Sequence, residues 1–241
     1  METTAVFREN INTLTTNELT LGDIPLFHYL SEDEMNLLET NVVLKRFKNR
    51  TNIYREGSRP AGVYVILSGI VKVYKIGSKG KHHILRFAKR GDVIAYRSVI
   101  SNELACSSAK TYDDNVVVAY IPLRVFFDLI HHNQKFAMEL LDKICKELHD
   151  SNCLVTDIAQ KSLRELTAQI LLLLKKEFGV DLHNSLQIKI TRTDLANMIG
   201  TVTESLIRVM SGFRDEGLLD LSGKRIIFLD TSRLQRIASF R

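Results

Sequence analysis

At Pro122 the chain changes its hydrophobic period. Before it, from residue 42 to 121, short β-rich runs recur: Val63–Leu67 (VYVIL), Ile70–Tyr74 (IVKVY), Ile84–Phe87 (ILRF) and Val116–Ile121 (VVVAYI). Glycines at 57, 62, 69, 77, 80 and 91 punctuate them. Strands bounded by turn residues at this spacing indicate an antiparallel barrel or sandwich, and no helical period runs through the block. After Pro122 helix follows. From Asn133 to about Gln160, Ala137, Leu141, Ile144, Leu148, Ser151, Val155 and Ile158 recur in alternating steps of four and three, a heptad seam. So long a seam requires a facing helix, either that of a second copy in parallel or the chain's own barrel.

The flanking segments add helices. Residues 24–40 contain an amphipathic helix opened by a capping box, Ser31 with Glu34. A further helix runs from about Ser162 to Phe178 and stops at Gly179, with Leu166, Ile170 and Leu173 on one face. The net charge of +5 is concentrated late: from Lys161 to Arg241 there are 13 Lys and Arg against 9 Asp and Glu. Such a bias suits a phosphate polyanion, although on charge alone a basic surface without a partner is equally expected. The cysteines Cys106, Cys145 and Cys153 form no C-x-x-C pair, and an odd number suits a reducing compartment. Met1–Thr20 carries Glu2, Glu9 and Glu18 and no apolar block, unlike a signal peptide, and the apolar stretch Ile170–Leu174 is too short to span a bilayer. The expected location is cytoplasmic, without a membrane partner.

Residues 191–217 (TRTDLANMIGTVTESLIRVMSGFRDEG) carry the most specific local pattern. Thr191 with Asp194 resembles a capping box opening one short helix; Gly200 breaks it, and Thr201 with Glu204 is expected to cap a second. Two helices joined by a short Gly-containing turn form a helix-turn-helix, whose second helix enters the major groove. Thr203, Glu204 and Arg208 fall in its first turns, and Glu204 and Arg208, four apart, share a face. Arginine donates to guanine O6 and N7, and glutamate accepts from cytosine N4. The competing expectation is that Glu204 only caps and Arg208 only pairs with it. Next, Leu218–Leu221 and Arg225–Leu229 flank Ser222-Gly223-Lys224 as a hairpin. It reads as a wing that holds Lys224 and Arg225 near the phosphate backbone, where they supply affinity rather than sequence choice. Arg192 and Thr193, at the start of the first helix, complete the candidate DNA-contacting set with Thr201.

From about Ile24 to Ile237 the sequence resembles the Crp/Fnr family of transcriptional regulators. The resemblance rests on ITRTDLANMIGTVTESLIRVMSGFRDEGLL at 190–219, IYREGSRPAGVYVILSGIVKVYK at 53–75 and GDVIAYRSVISNELACSSAKT at 91–111. It implies an α+β fold: an N-terminal antiparallel, jelly-roll-like β-roll of cyclic-nucleotide-binding type, a long dimerisation helix and a C-terminal winged helix-turn-helix. The corresponding division is an N-terminal extension at 1–23, a sensor domain at 24–132, the dimerisation helix at 133–160 and a DNA-binding domain at 161–241. The family further implies a homodimer on a near-palindromic double-stranded site, with recognition helices about 34 Å apart, and RNA polymerase as a partner. Glu204 and Arg208 match family positions that read a G·C pair, whereas Ile207 replaces a serine common in the Fnr branch.

The resemblance also implies where an effector would sit. Members that bind cyclic AMP hold its ribose with a Glu and its phosphate with an Arg; the matching positions here are Tyr96 and Cys106, followed by Ser107. Loss of both charge-assisted contacts predicts poor cyclic AMP binding. Arg97, Ser107 and Ser108 offer a place for a different anion, though the element reads equally well as a structural turn. Ser151 and Asn152 match ligand-touching positions on the helix, and Ser151, polar within an apolar seam, is equally suited to fixing register. With no cysteine before Cys106, a four-thiolate iron–sulfur cluster of the Fnr kind is not expected. Haem would need an axial ligand from His28, His82, His83, His131, His132, His149 or His183, each of which reads more simply as a surface histidine. No P-loop, paired metal-ligand motif or nucleophile elbow is present, so an enzyme is not expected. The alternative to a ligand-gated DNA-binding regulator is a sensor module, cyclic-nucleotide-type or haem-based, whose output is protein contact.

Overall fold

The computed structural model describes residues 21–77 and 80–239. Of the expected N-terminal extension, residues 1–20 lie outside that range. The chain forms two compact units, one of Met1–Gly77 with Ile84–Leu148 and one of Ser78–His83 with His149–Arg241.

The first unit is built on two four-stranded antiparallel sheets. One runs β1 (Val43–Phe47), β8 (Val116–Pro122), β3 (Gly62–Ser68), β6 (Val93–Ile94); the other runs β2 (Asn52–Tyr54), β7 (Ser108–Thr111), β4 (Val71–Ile76), β5 (His82–Ala88). Central β3 and β8 pair in register from Gly62 opposite Pro122 to Ile66 opposite Val118. Both strands are buried almost end to end, because successive side chains point to opposite faces and each face meets its own core. Val63, Val65, Leu67, Val117, Ala119 and Ile121 join a cluster with Phe27, Phe126 and Phe136. Their neighbours Tyr64, Ile66, Val116 and Val118 join a second one with Val71, Val73 and Ala109 from the other sheet.

Helices close the first of these cores. α1 (Glu32–Asn41) starts at the expected Ser31–Glu34 capping box and buries Leu38. α3 (Leu123–His132) follows Pro122 and buries Val125, Phe126 and Leu129. α4 (Gln134–Gln160) begins where Asn133 Oδ1 accepts from the Phe136 amide, and it buries Phe136 and Leu140. Phe126 and Phe136 meet edge to face at 6.0 Å, and truncating either to alanine is expected to cost about 3–5 kcal/mol. Gly62 is required by close approach: a Cβ there would overlap the Ile121 carbonyl and the Tyr120 ring. One helical turn, α2 (Tyr96–Ile100), lies inside the block read as wholly β. Five residues are too few to show a period of 3.6.

The second unit packs α5 (Leu163–Phe178), α6 (Arg192–Ile199), α7 (Thr203–Asp215) and α8 (Thr231–Ala238) with the hairpin β9 (Leu219–Ser222) and β10 (Arg225–Phe228). Leu166, Ile170 and Leu174 of α5, Leu195 of α6, Leu206, Met210 and Phe213 of α7 and Leu234 of α8 are all buried, whereas Leu173, expected on the packed face of α5, is exposed. α5 ends at Gly179, as expected, and opens at a full capping box, Ser162 with Glu165, that the sequence reading did not name. Thr191 Oγ1 accepts from the Asp194 amide at 3.0 Å and donates to its carboxylate at 2.7 Å. Gly200, at φ 83°, closes α6 in the left-handed conformation. The cap expected from Thr201 on α7 is corrected: the residue before the first turn is Val202, and no side chain caps it. The tight turn after Gly200 places Thr201 one residue too early.

Candidate nucleic-acid interface and effector pocket

α7 is amphipathic in the sense a recognition helix needs. Leu206, Met210 and Phe213 anchor one face in the core, while Glu204, Ile207 and Arg208 stand exposed on the other. Among the described residues no hydrogen bond or ion pair engages Glu204 or Arg208, so the competing expectation of a cap and a solvated pair is not what the helix shows. The back of α7 is fixed elsewhere: the Arg164 guanidinium stacks over Phe213 at 4.7 Å and reaches Glu216 at 2.7 Å.

The hairpin reads as expected, with Arg225 opposite Ser222 and Phe228 opposite Leu219. Gly223, at φ 58°, opens the two-residue loop, and Lys224 is exposed beside it. Arg225 is exposed and lies 3.9 Å from the Asp181 carboxylate. Thr193 is exposed, and Thr201 and Thr203 are half-buried around the start of α7. Arg192 differs from the rest of its set: its Nη2 donates to the Gly223 carbonyl at 3.3 Å, and its Nη1 is buried without a partner. Burial lowers its pKa. Arg192 thus ties the start of α6 to the wing's turn.

The element around Tyr96 and Cys106 forms a small cavity of about 20 Å³ in the first unit, room for about one water molecule. Tyr96, Arg97, Cys106 and Ser107 line it, as the sequence proposed, and Tyr54 and Arg86 join them. Tyr96 is 1% exposed. Its buried hydroxyl faces the Glu147 carboxylate, and desolvation, reinforced by that carboxylate, raises its pKa. Glu147, on α4, lies 3.9 Å from both Arg86 and Arg97 and 3.7 Å from Lys143. Ala95, which precedes Tyr96, sits at φ 71°, a left-handed conformation that is costly for a residue with a Cβ. Ser108 is buried outside the cavity, and its hydroxyl accepts from the Glu56 amide at 2.9 Å.

Ser151 and Asn152 are exposed on α4 and are not part of the lining. Sequence reasoning missed Arg86 and Glu147; no motif contains them, and their only signal was Glu147's place beside the heptad seam. All three cysteines are exposed and form no disulfide. Cys153 Sγ lies 3.6 Å from His149 Nε2, one turn earlier on the helix.

The seam residues divide. Phe136 and Leu140, which lie off the seam, pack on the core, with Ile144 partly buried beside them. Leu141, Leu148, Val155 and Ile158 are 50%, 59%, 68% and 47% exposed. No helix of the described residues is long and apolar enough to cross a membrane.

Comparison with known proteins places both parts. A family model for the cyclic nucleotide-binding domain matches residues 44–133, and one for the Crp-like helix-turn-helix domain matches residues 167–237. Electron transport regulator A of Shewanella oneidensis is 23% identical over 225 residues, covering 92% of this chain and 89% of that protein. The cAMP-activated global transcriptional regulator CRP of Salmonella typhimurium is 25% identical, covering 78% of this chain and 90% of that protein. Among solved structures, FixK2 from Bradyrhizobium japonicum superposes with a TM-score of 0.73 at 21% identity, covering 83% of this chain and 98% of that one. With the sensor model followed by the helix-turn-helix model along one polypeptide, the chain belongs to the Crp/Fnr family of DNA-binding transcriptional regulators.

Proposed function

We propose that this regulator binds a near-palindromic double-stranded DNA site as a homodimer, and that an effector other than cyclic AMP gates it through the pocket around Tyr96. The observation that carries the DNA reading is the exposed, unengaged pair Glu204 and Arg208 on a helix whose opposite face is locked in the core. Arg208 donates to guanine and Glu204 accepts from the paired cytosine. Lys224, Arg225, Thr193, Thr201 and Thr203 hold the backbone.

Dimerisation is supported by the exposed row Leu141, Leu148, Val155 and Ile158, which needs a facing copy of itself to leave water. The effector reading is supported by what lines the cavity. Tyr96 and Cys106 offer neither the carboxylate nor the guanidinium with which the family holds cyclic AMP. RNA polymerase, in the cytoplasm, is the partner through which such a dimer acts.

The test is selection of a binding site from a random DNA pool with the purified full chain, followed by titration of wild type and Arg208→Ala. An inverted repeat, bound about 1–3 kcal/mol more weakly by the variant and with relaxed preference at one G·C pair, is the expected outcome. Enrichment of a site without two-fold symmetry would overturn the dimer.

A further inference from the structure

We propose that His149 and Cys153, one turn apart on α4, form a chelating site for a thiophilic metal ion of the zinc(II) and cadmium(II) class. Cys153 Sγ and His149 Nε2 stand 3.6 Å apart. A tetrahedral zinc ion with a thiolate at about 2.3 Å and an imidazole nitrogen at about 2.0–2.1 Å holds those two atoms about 3.5–3.6 Å apart. The pair thus already has the separation that a shared ion requires. Both side chains are exposed, so an ion and its remaining ligands can approach from solvent. One thiolate with one imidazole selects zinc and its softer relatives over magnesium and calcium, which take oxygen ligands. On binding, the Sγ–H bond breaks as the Sγ–metal bond forms. The proton passes to solvent and no electron is transferred.

The helix supplies the spacing and the access. Residues four apart on an α-helix are neighbours on one face. α4 buries Phe136 and Leu140 near its start, but from Leu148 to Gln160 none of its residues is buried. At about 100° per residue, His149 and Cys153 lie about 130° and 170° around the helix from the middle of the Leu148, Ser151 and Val155 seam. A metal held there stands clear of any helix packed on that seam. Among the described residues no group of three or more His, Cys, Asp or Glu side chains is placed to hold a metal. The chain therefore offers two ligands and leaves two positions to water or to a ligand from solution. Four protein ligands make a closed, structural zinc site; a site with two protein ligands exchanges its ion. While bound, the ion bridges one turn of α4 where tertiary packing supports the helix least.

The test titrates the reduced full chain with zinc(II) by calorimetry and with cadmium(II) by thiolate-to-metal charge-transfer absorbance. Loss of a group that only orients a metal ligand costs about 10–100-fold in affinity, so loss of a ligand costs no less. His149→Ala and Cys153→Ser should each weaken binding of both ions by about tenfold or more. The double variant should be little weaker than either single one, because each already breaks the chelate. Cys145→Ser, one turn before His149, should bind as wild type does. Zinc should raise the melting temperature of the wild type and of Cys145→Ser, but not that of the two ligand variants. Both replaced side chains are exposed, so the variants should keep the far-ultraviolet circular dichroism of the wild type. Cadmium binding unchanged in Cys153→Ser, or lost in Cys145→Ser instead, overturns the proposal. Full affinity in His149→Ala also overturns it, since the thiol would then bind the ion without a chelating partner.

Discussion

Arg192 Nη2 donates to the carbonyl of Gly223 at 3.3 Å, so the first residue of α6 holds the turn of the wing. The guanidinium is half-buried and its Nη1 has no partner, so this side chain positions other groups and cannot offer its full fork to DNA. Arg192→Ala is expected to weaken binding to all DNA sequences alike, by about 0.5–1.5 kcal/mol, the worth of one hydrogen bond. Thermal stability should change little, because the variant also relieves a buried unpaired donor. Lys224→Ala, by contrast, should lower the salt slope of binding by about one. Salt-dependent titrations of both variants distinguish positioning from phosphate contact; a changed base preference in Arg192→Ala would show direct readout instead.

The seam on α4 makes its own prediction. Leu148 is 59% exposed and Leu141 50% exposed, yet the same helix buries Phe136 and Leu140 completely on the other side. Leu148→Lys should leave the fold of the protomer intact and shift the dimer toward monomer, by about 1.5–3 kcal/mol for each leucine removed from the seam. Sedimentation equilibrium gives the answer. A wild-type protein that is monomeric at micromolar concentration, or a variant that remains dimeric, would locate self-association elsewhere.

Much of this was legible in the sequence, and the parts that were not share a physical cause. The β-rich runs Val63–Leu67 and Val116–Ile121, bounded by turn residues, announced strands, and they are apolar throughout because each side chain enters one of two cores. The box at Ser31 announced a helix start because a hydroxyl and a carboxylate three residues on satisfy the orphan amides. Thr201 misled because the chain turns after Gly200 and leaves the cap position to Val202. Glu147 and Arg86 were invisible because they are 61 residues apart in the sequence and meet only when α4 is laid beside β5. Local pattern says nothing about such a pair. Arg192 was assigned to DNA from its place at the helix start, and only the wing's turn shows where its guanidinium is engaged.

Ala95, the residue before Tyr96, holds a left-handed backbone at φ 71°. A left-handed L-residue costs about 1–2 kcal/mol, against about 0.5–1 kcal/mol of extra chain entropy lost by glycine. Ala95→Gly is therefore expected to raise stability modestly, by about 0.5–1 kcal/mol, read as an increase in melting temperature. If the variant is less stable, packing of the Ala95 methyl against the second core outweighs the strain.

The first unit also predicts an alkaline limit. Tyr64 is buried between the stacked ring of Tyr54 and the tilted ring of Tyr120, at 6.0 and 5.3 Å, and desolvation pushes its pKa up to about 12. Burial raises Tyr54, Tyr96 and Tyr120 in the same direction. A folded pKa above the unfolded one means that the native state holds its proton longer. The stability from this burial is fully present below about pH 10, the pKa of an unfolded tyrosine, and is lost as the pH rises through the folded value of about 12. Melting temperature should therefore be flat up to about pH 9 and fall from about pH 10. Tyrosinate absorbance should appear together with unfolding rather than before it. Tyr64→Phe removes one ionisable group and should make the alkaline fall less steep. Tyrosinate absorbance that rises near pH 10 while the protein remains folded would show that these rings are open to water.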